Sequence, residues 1–195
     1  RQRSIVEIMD HSSRELQRRI EDLIRYSGMM REVGTSTIAP LNLSNVLDTV
    51  LVRHRLAIEA RNLEIDRQLS LPDVYADREQ METLLDNLLS NAVKFSPVRG
   101  HILIEGWLAD EVCHLQICDQ GPGIPKNERT RIFEPFVQGA HQPDTAVKGS
   151  GLGLSIVQEI LRTLGGSVKV DDRPRWSVCI KVKWPIPPTY ETKHD

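Results

Sequence analysis

The chain reads as an α+β domain, with helices on one face of a mixed, largely antiparallel sheet and a long helix in front of it. Three observations predict this. Strand-like and helix-like stretches both occur, but without the regular alternation of a parallel α/β fold. The β-rich runs His101–Leu108 and Val112–Cys118 are separated only by Ala109-Asp110-Glu111, which is hairpin spacing. The first thirty or so residues lack proline, and their apolar or small residues recur in steps of three and four.

Composition narrows the possible classes. At 195 residues and 39% hydrophobic, the chain can bury one good core with something appended. A net charge of −2, no long basic block and 5% aromatic residues argue against a nucleic-acid surface. No apolar run approaches the ~20 residues of a membrane span, and no signal peptide is evident. Cys113, Cys118 and Cys179 have neither metal-ligand nor redox spacing. They are expected to be reduced, packed thiols in a reducing compartment. The start at Arg1 rather than methionine suggests a fragment.

In chain order, the stripe Ile5, Met9, Ser12, Leu16, Ile20, Leu23, Ser27, Met30 predicts a long amphipathic helix. Such a stripe needs another copy, a helix outside this sequence, or the main domain to cover it. Gly34 to Thr37 reads as linker, closed by Pro40. Leu41–Leu43 suggests a short strand, and Ser44 an N-cap for a helix to about Arg61. Leu63, Ile65 and Leu69 suggest another strand. Asp77, with Gln80 for a capping box, should begin a helix carrying Met81, Leu84, Leu85, Leu88, Leu89 and Val93 to about Ser96. A short helical piece follows Pro125, then a polar loop from Gln138. The helix with Ile156, Val157, Ile160, Leu161 and Leu164 should stop at Gly165-Gly166, and strands near Val168–Val170 and Ser177–Val182 complete the sheet.

Four clusters carry chemistry. The ladder Lys148-Gly149-Ser150-Gly151-Leu152-Gly153-Leu154 opens into a helix, and alternate glycines leave its amides open to a polyanion. Leu154 stands where a dinucleotide fingerprint needs glycine, and the lysine precedes the ladder where a Walker loop has it at the end. Asn87, Asn91 and Lys94 share one helix side, where amide oxygens can ligate Mg²⁺ and a lysine can neutralise phosphate. Asp119-Gln120-Gly121-Pro122-Gly123 puts a carboxylate at a strand end with space cleared beside it, suited to an exocyclic amine such as that of adenine. Phe133-Glu134-Pro135-Phe136 is apolar enough to pin the loop before the ladder. Any of these alone is weak, a turn or a core contact. Their order, at intervals of about thirty residues from Asn91 to Asp119 and on to Gly149, is specific.

Together they resemble the catalytic, ATP-binding domain of bacterial sensor histidine kinases, within the ATPase superfamily shared with type II topoisomerases and mismatch-repair ATPases. Asn87–Ser96 resembles the N box, Asp119–Gly123 the first glycine box, Phe133–Phe136 the F box and Lys148–Leu154 the second glycine box. The resemblance spans about Leu41 to Pro185 and implies the Bergerat fold, a two-layer α/β sandwich. It implies Mg²⁺ on Asn91, with Asn87 beside it, and Lys94 on phosphate. Phe95 would line the nucleotide, Asp119 would read the adenine amine, and Gly121, Gly123, Ile124, Phe133 and Phe136 would shape its pocket. Lys148, Gly149, Ser150, Gly151, Leu152 and Gly153 would cradle the phosphates of ATP, under a lid from Gln138 to Lys148. Hydrolysing members of the superfamily carry glutamate where Asn87 stands. An amide cannot serve as a general base, whereas transfer to an imidazole needs none, so the kinase reading is favoured over an ATPase or a silent binding module.

Residues 1–34 resemble the second helix of the dimerisation and histidine-phosphotransfer domain of these kinases. None of the six histidines lies in the acceptor motif, so the acceptor is expected on a helix outside this sequence and the fragment is not expected to autophosphorylate. The implied layout is that partial helix at 1–34, a linker at 35–43, the catalytic domain at 44–188 and a tail at 189–195. Implied partners are ATP, the acceptor histidine, a response-regulator receiver domain and, in the full-length protein, a second copy. The implied setting is the cytoplasmic side of an inner-membrane protein. The loop and ladder sequences resemble those of a proteobacterial subgroup. Asp171-Asp172-Arg173-Pro174-Arg175-Trp176 departs from the family's glycine-rich final hairpin.

Overall fold

A computed structural model describes residues 37–140 and 149–186, together with Ser13. The expected N-terminal helix and most of the expected lid, Lys148 included, lie outside the described residues. A five-stranded sheet is built from β2 (Glu64–Ser70), β4 (His101–Ala109), β5 (Val112–Asp119), β7 (Trp176–Pro185) and β6 (Ser167–Arg173), in that spatial order. Only β2 and β4 run parallel; the other pairs are antiparallel. The mixed, mostly antiparallel sheet is thus observed. A separate two-stranded ladder joins β1 (Ile38–Leu41) to β3 (Val74–Asp77).

Three helices lie on one face: α1 (Leu43–Ala60), α2 (Arg78–Phe95) and α3 (Gly153–Thr163). The α2 stripe Met81, Leu84, Leu85, Leu88, Leu89, Ala92, Val93 and the α3 stripe Ile156, Val157, Ile160, Leu161 are buried in one cluster with Ile102, Ile104, Leu115, Ile117, Ile180 and Val182 of the sheet. Helical periods of three and four thus meet the two-residue period of the strands. Through Leu43, Val46, Leu47 and Val50, α1 joins the same core, while its later Val52 and Leu56 are exposed.

Local signals explain most boundaries. Asp77 caps α2, its carboxylate accepting from the Gln80 amide at 3.0 Å, as the sequence predicts. For α1 the cap is Asn42, whose side chain accepts from the Asn45 amide, rather than Ser44. The difference follows from β1, which ends at Leu41 and delivers the chain two residues earlier. Residues 38–40, read as linker, pair with β3 together with Leu41. Pro40 masks that strand in the sequence, and an edge ladder of this kind tolerates it.

The cysteine expectation is overturned. Cys118 and Cys179 are register partners on β5 and β7 and form a disulfide; only Cys113 is free, buried in the main core with its thiol pushed up to about 11 by desolvation. The 61-residue separation hid the pair, because β5 and β7 become neighbours only when the sheet forms. Closing a loop of that length stabilises the fold by about 4 kcal/mol in the chain-entropy treatment.

Leu89 is fully buried on the helix that carries Asn87, Asn91 and Lys94. Leu89→Ala is expected to lower unfolding free energy by about 2–5 kcal/mol, read from urea denaturation; a change below about 0.5 kcal/mol would show that the helix is not seated on the sheet as described.

Candidate nucleotide site

Four segments converge at one end of the helix-covered face, and glycines mark each meeting point. At Gly153, the first residue of α3, a side-chain β-carbon would stand 2.7 Å from Asn87 Oδ1. The Asn87 amide nitrogen donates to the Thr83 carbonyl one turn back, at 2.8 Å, which turns its oxygen toward the ladder. At Gly149 a β-carbon would stand 3.0 Å from Lys94 Nζ. Gly151 has φ +77°, and its open side is filled by the Phe136 and Val137 backbone, with the Phe136 amide donating to the Gly151 carbonyl at 3.0 Å. At Gly121 a β-carbon would meet both Asp119 Oδ1 at 2.7 Å and the Phe95 carbonyl at 2.9 Å. At Gly121 and Gly151 a side chain would push backbone segments apart, while at Gly149 and Gly153 it would displace the Lys94 and Asn87 side-chain ends.

The alternation of β5 places Asp119. Cys113, Leu115 and Ile117 point into the core, so Asp119 is the last inward residue of the strand, only 5% exposed. Its carboxylate accepts the Gly121 amide at 2.8 Å, and burial pushes its pKa up to about 6. Desolvation outweighs that single hydrogen bond. A buried acceptor in this state favours a ligand that brings a donor.

The other end is cationic. Lys94 is half-buried, and desolvation lowers its pKa from the usual lysine value. Its ammonium lies 5.4 Å from the Phe95 ring centroid, which holds both residues on the site side of α2. The first amides of α3 have no intrahelical acceptor, and Leu152 in the cap position offers no side-chain cap. Asn87, Asn91, Lys94 and Phe95 are all partly exposed on α2. The residues thus suit a ligand that is anionic at one end and carries a hydrogen-bond donor at the other.

Of the residues predicted from sequence, Asn87, Lys94, Phe95, Asp119, Gly121, Gly149, Gly151 and Gly153 are brought together by these contacts. Gly123 has φ +86°, and Ile124 packs on the main core. Phe133 is buried, but Phe136 is 63% exposed at φ +64°. The Phe136 backbone, not its ring, holds the ladder. Sequence reasoning placed Gln138 in the lid but missed that its side chain donates to the Gly149 carbonyl at 2.6 Å, and it missed Glu128, whose carboxylate accepts the Ala140 amide at 2.9 Å. It also missed Arg129, which donates to the Ile124 carbonyl and pairs with Asp172. Such contacts between loops leave no spacing pattern in the chain.

Comparison with known proteins agrees with this geometry. Residues 76–188 match the profile of the histidine kinase-, DNA gyrase B- and HSP90-like ATPase family, a span that includes every segment of the site. Over 184 residues the chain is 35% identical to the sensor histidine kinase GlrK of Escherichia coli K12, covering 94% of this chain and 38% of GlrK. It is 33% identical over 187 residues to the adaptive-response sensory kinase SasA of Synechococcus sp. CC9902, covering 91% of this chain and 49% of SasA. Full-length ShkA, solved in complex with AMPPNP, superposes with a TM-score of 0.78 at 28% identity, over 94% of this chain and 38% of ShkA. The nucleotide-free catalytic domain of histidine kinase ThkA superposes with a TM-score of 0.67 at 26% identity, over 78% of this chain and 99% of that domain. By sequence and by fold, the chain belongs to the family of histidine kinase-, DNA gyrase B- and HSP90-like ATPases, and these relatives within it are histidine or sensory kinases.

Proposed function

We propose that the chain is the ATP-binding catalytic portion of a sensor histidine kinase, presenting the γ-phosphate of Mg·ATP to a histidine outside these residues for relay to a response-regulator aspartate. The observation that carries this is the two-ended cleft: Lys94 and the uncapped start of α3 at one end, and the buried Asp119 carboxylate at the other. Glycine-cleared space where Lys94 meets Gly149 fits phosphates, and the acceptor beside Gly121 fits the adenine amine.

Mg²⁺ would be held by Asn91, with Asn87 beside it. Amide oxygens of this kind suit a cation carried largely by phosphate oxygens and water. The bound ion would neutralise charge on the transferred group. Lys94 and the α3 amides would fix the phosphate chain, so that catalysis is positioning and charge neutralisation. Asn87 cannot activate water, which favours transfer over hydrolysis.

In this reading residues 1–34 supply one helix of a dimerisation domain, 35–43 lead into the catalytic unit at 44–188, and 189–195 form a tail. The full-length protein would work as a homodimer, with this portion on the cytoplasmic side of an inner membrane. No described helix is long and apolar enough to cross a membrane.

Three outcomes are expected. Asn91→Ala and Asp119→Asn should each weaken Mg²⁺-dependent AMPPNP binding by about tenfold to a hundredfold in titration calorimetry, and unchanged affinity in both would sink the site assignment. In a second experiment a histidine-bearing first-helix domain added with γ-labelled ATP should acquire label, while the fragment alone should turn over little ATP; sustained hydrolysis would favour an ATPase instead.

The third concerns pH. An amine donor binds the ionised form of Asp119, so affinity should hold above about pH 6 and fall below it as the carboxyl protonates. Between pH 7 and pH 5 the loss should approach about tenfold, with Asp119→Asn much flatter over the same interval. Equal pH dependence in wild type and variant would remove Asp119 from the adenine contact.

A further inference from the structure

Neither cysteine of the disulfide Cys118–Cys179 is among the residues assigned to the nucleotide, yet three features tie the bond to them. The first is adjacency. Cys118 precedes Asp119 on β5, Cys179 follows Val178 on β7, and Val178 is the register partner of Asp119. Strand alternation sends the carboxylate inward and the sulfur outward from the same strand end. Beyond Asp119 the ladder stops and the glycine turn begins. The covalent bond is therefore one register step from the acceptor group.

The second is enclosure. The bond closes a segment of 61 residues that contains Asp119–Gly123, Phe133–Phe136, the glycine ladder and α3. Apart from the α2 residues, every group assigned to the nucleotide lies inside that covalent loop. Its two ends are held together at Asp119.

Access is the third. The sulfurs sit on the sheet face away from the helices, in a small cluster with Leu103 and a partly buried Trp176. Trp176 stands at the β6–β7 turn, beside Arg175 at φ +75°. Both cysteines are buried, and Trp176 at that hairpin end packs against their cluster, so opening of that end is the route by which a reductant would reach the sulfurs. Cys113 differs, lying within the main core.

We propose that Cys118 and Cys179 form a redox latch on the adenine end of the site: closed, the bond fixes the Asp119 strand end; open, it lets that end shift and weakens adenine recognition. The latch presupposes that the cleft binds a nucleotide with adenine at Asp119. Opening is a two-electron exchange. A thiolate of a dithiol attacks one sulfur, and the other leaves as a thiolate and takes up a proton. The donor's second thiol then resolves the mixed disulfide, leaving both cysteines as thiols and the donor as a cyclic disulfide. A small-molecule disulfide closes the latch by the reverse steps. In this scheme Cys118 and Cys179 are positioning residues acting through Asp119.

The test compares the 195-residue chain purified in air with the same chain treated with a dithiol and desalted. Thiol titration in denaturant should give one thiol before treatment and three after it, since the chain has three cysteines and one disulfide. Mg·AMPPNP and Mg·inosine triphosphate are then titrated into both forms. Reduction is expected to weaken AMPPNP by about tenfold, the effect of one misplaced hydrogen bond, and to narrow the preference for the adenine nucleotide over inosine. A general loss of stability would not change that preference. In a chain carrying Cys118→Ala and Cys179→Ala, the dithiol should have no effect.

Equal affinity and equal base preference in the two redox forms would overturn the latch while leaving nucleotide binding intact. Three free thiols in the air-purified chain would overturn it too. Binding absent from both forms would overturn the nucleotide site and the latch together. All three outcomes are read on the wild-type chain and so do not depend on the double variant folding.

Discussion

The site depends on one steric condition: α2 and the start of α3 must approach closely enough for Asn87 and Lys94 to fill the space left by missing β-carbons at Gly153 and Gly149. The approach is driven by burial of the α2 and α3 apolar stripes on the sheet. A methyl group at Gly153 would stand at a distance β-carbons essentially never show, and one at Gly149 would force Lys94 to give way. The glycine spacing thus serves the core and the cleft through the same contacts.

Electrostatic preparation follows from that packing. Burying Lys94 beside Phe95 leaves a cation in a medium that screens it less, which strengthens its pull on phosphate. Burying Asp119 raises the carboxyl's pKa and leaves it with one protein donor. Both side chains are held at some desolvation cost, which matching charge or hydrogen bonds from a ligand would offset. Stability and readiness to bind oppose each other at these two positions.

A two-residue period in β5 decides much of the rest. It turns Leu115, Ile117 and Asp119 to the helices and Cys118 to the opposite face, where Cys179 is its partner. That outer face is no second core. Arg173 pairs with Glu105, and Lys181 lies 4.9 Å from the Trp107 ring centroid, itself stacked on His114. Within the departure at Asp171–Trp176, Trp176 packs against the disulfide on this face, and Asp172 pairs with Arg129.

By itself the sequence determined what local pattern can encode. It marked α2 and α3 by their apolar periods, α1 by a cap signal, and also the Asp77 cap, the hairpin of β4 and β5, and the polar clusters around Asn91, Asp119 and Gly151. Each of these signals lies within about a dozen residues of chain. Only the tertiary structure decided the strand order, the β1–β3 ladder hidden by Pro40, the Asn42 cap and the Cys118–Cys179 bond. It also decided that Phe136 holds the ladder by its backbone while its ring faces outward. These features depend on which distant segments become neighbours, and neighbourhood across a sheet is set by the burial of the whole core rather than by any stretch of the chain.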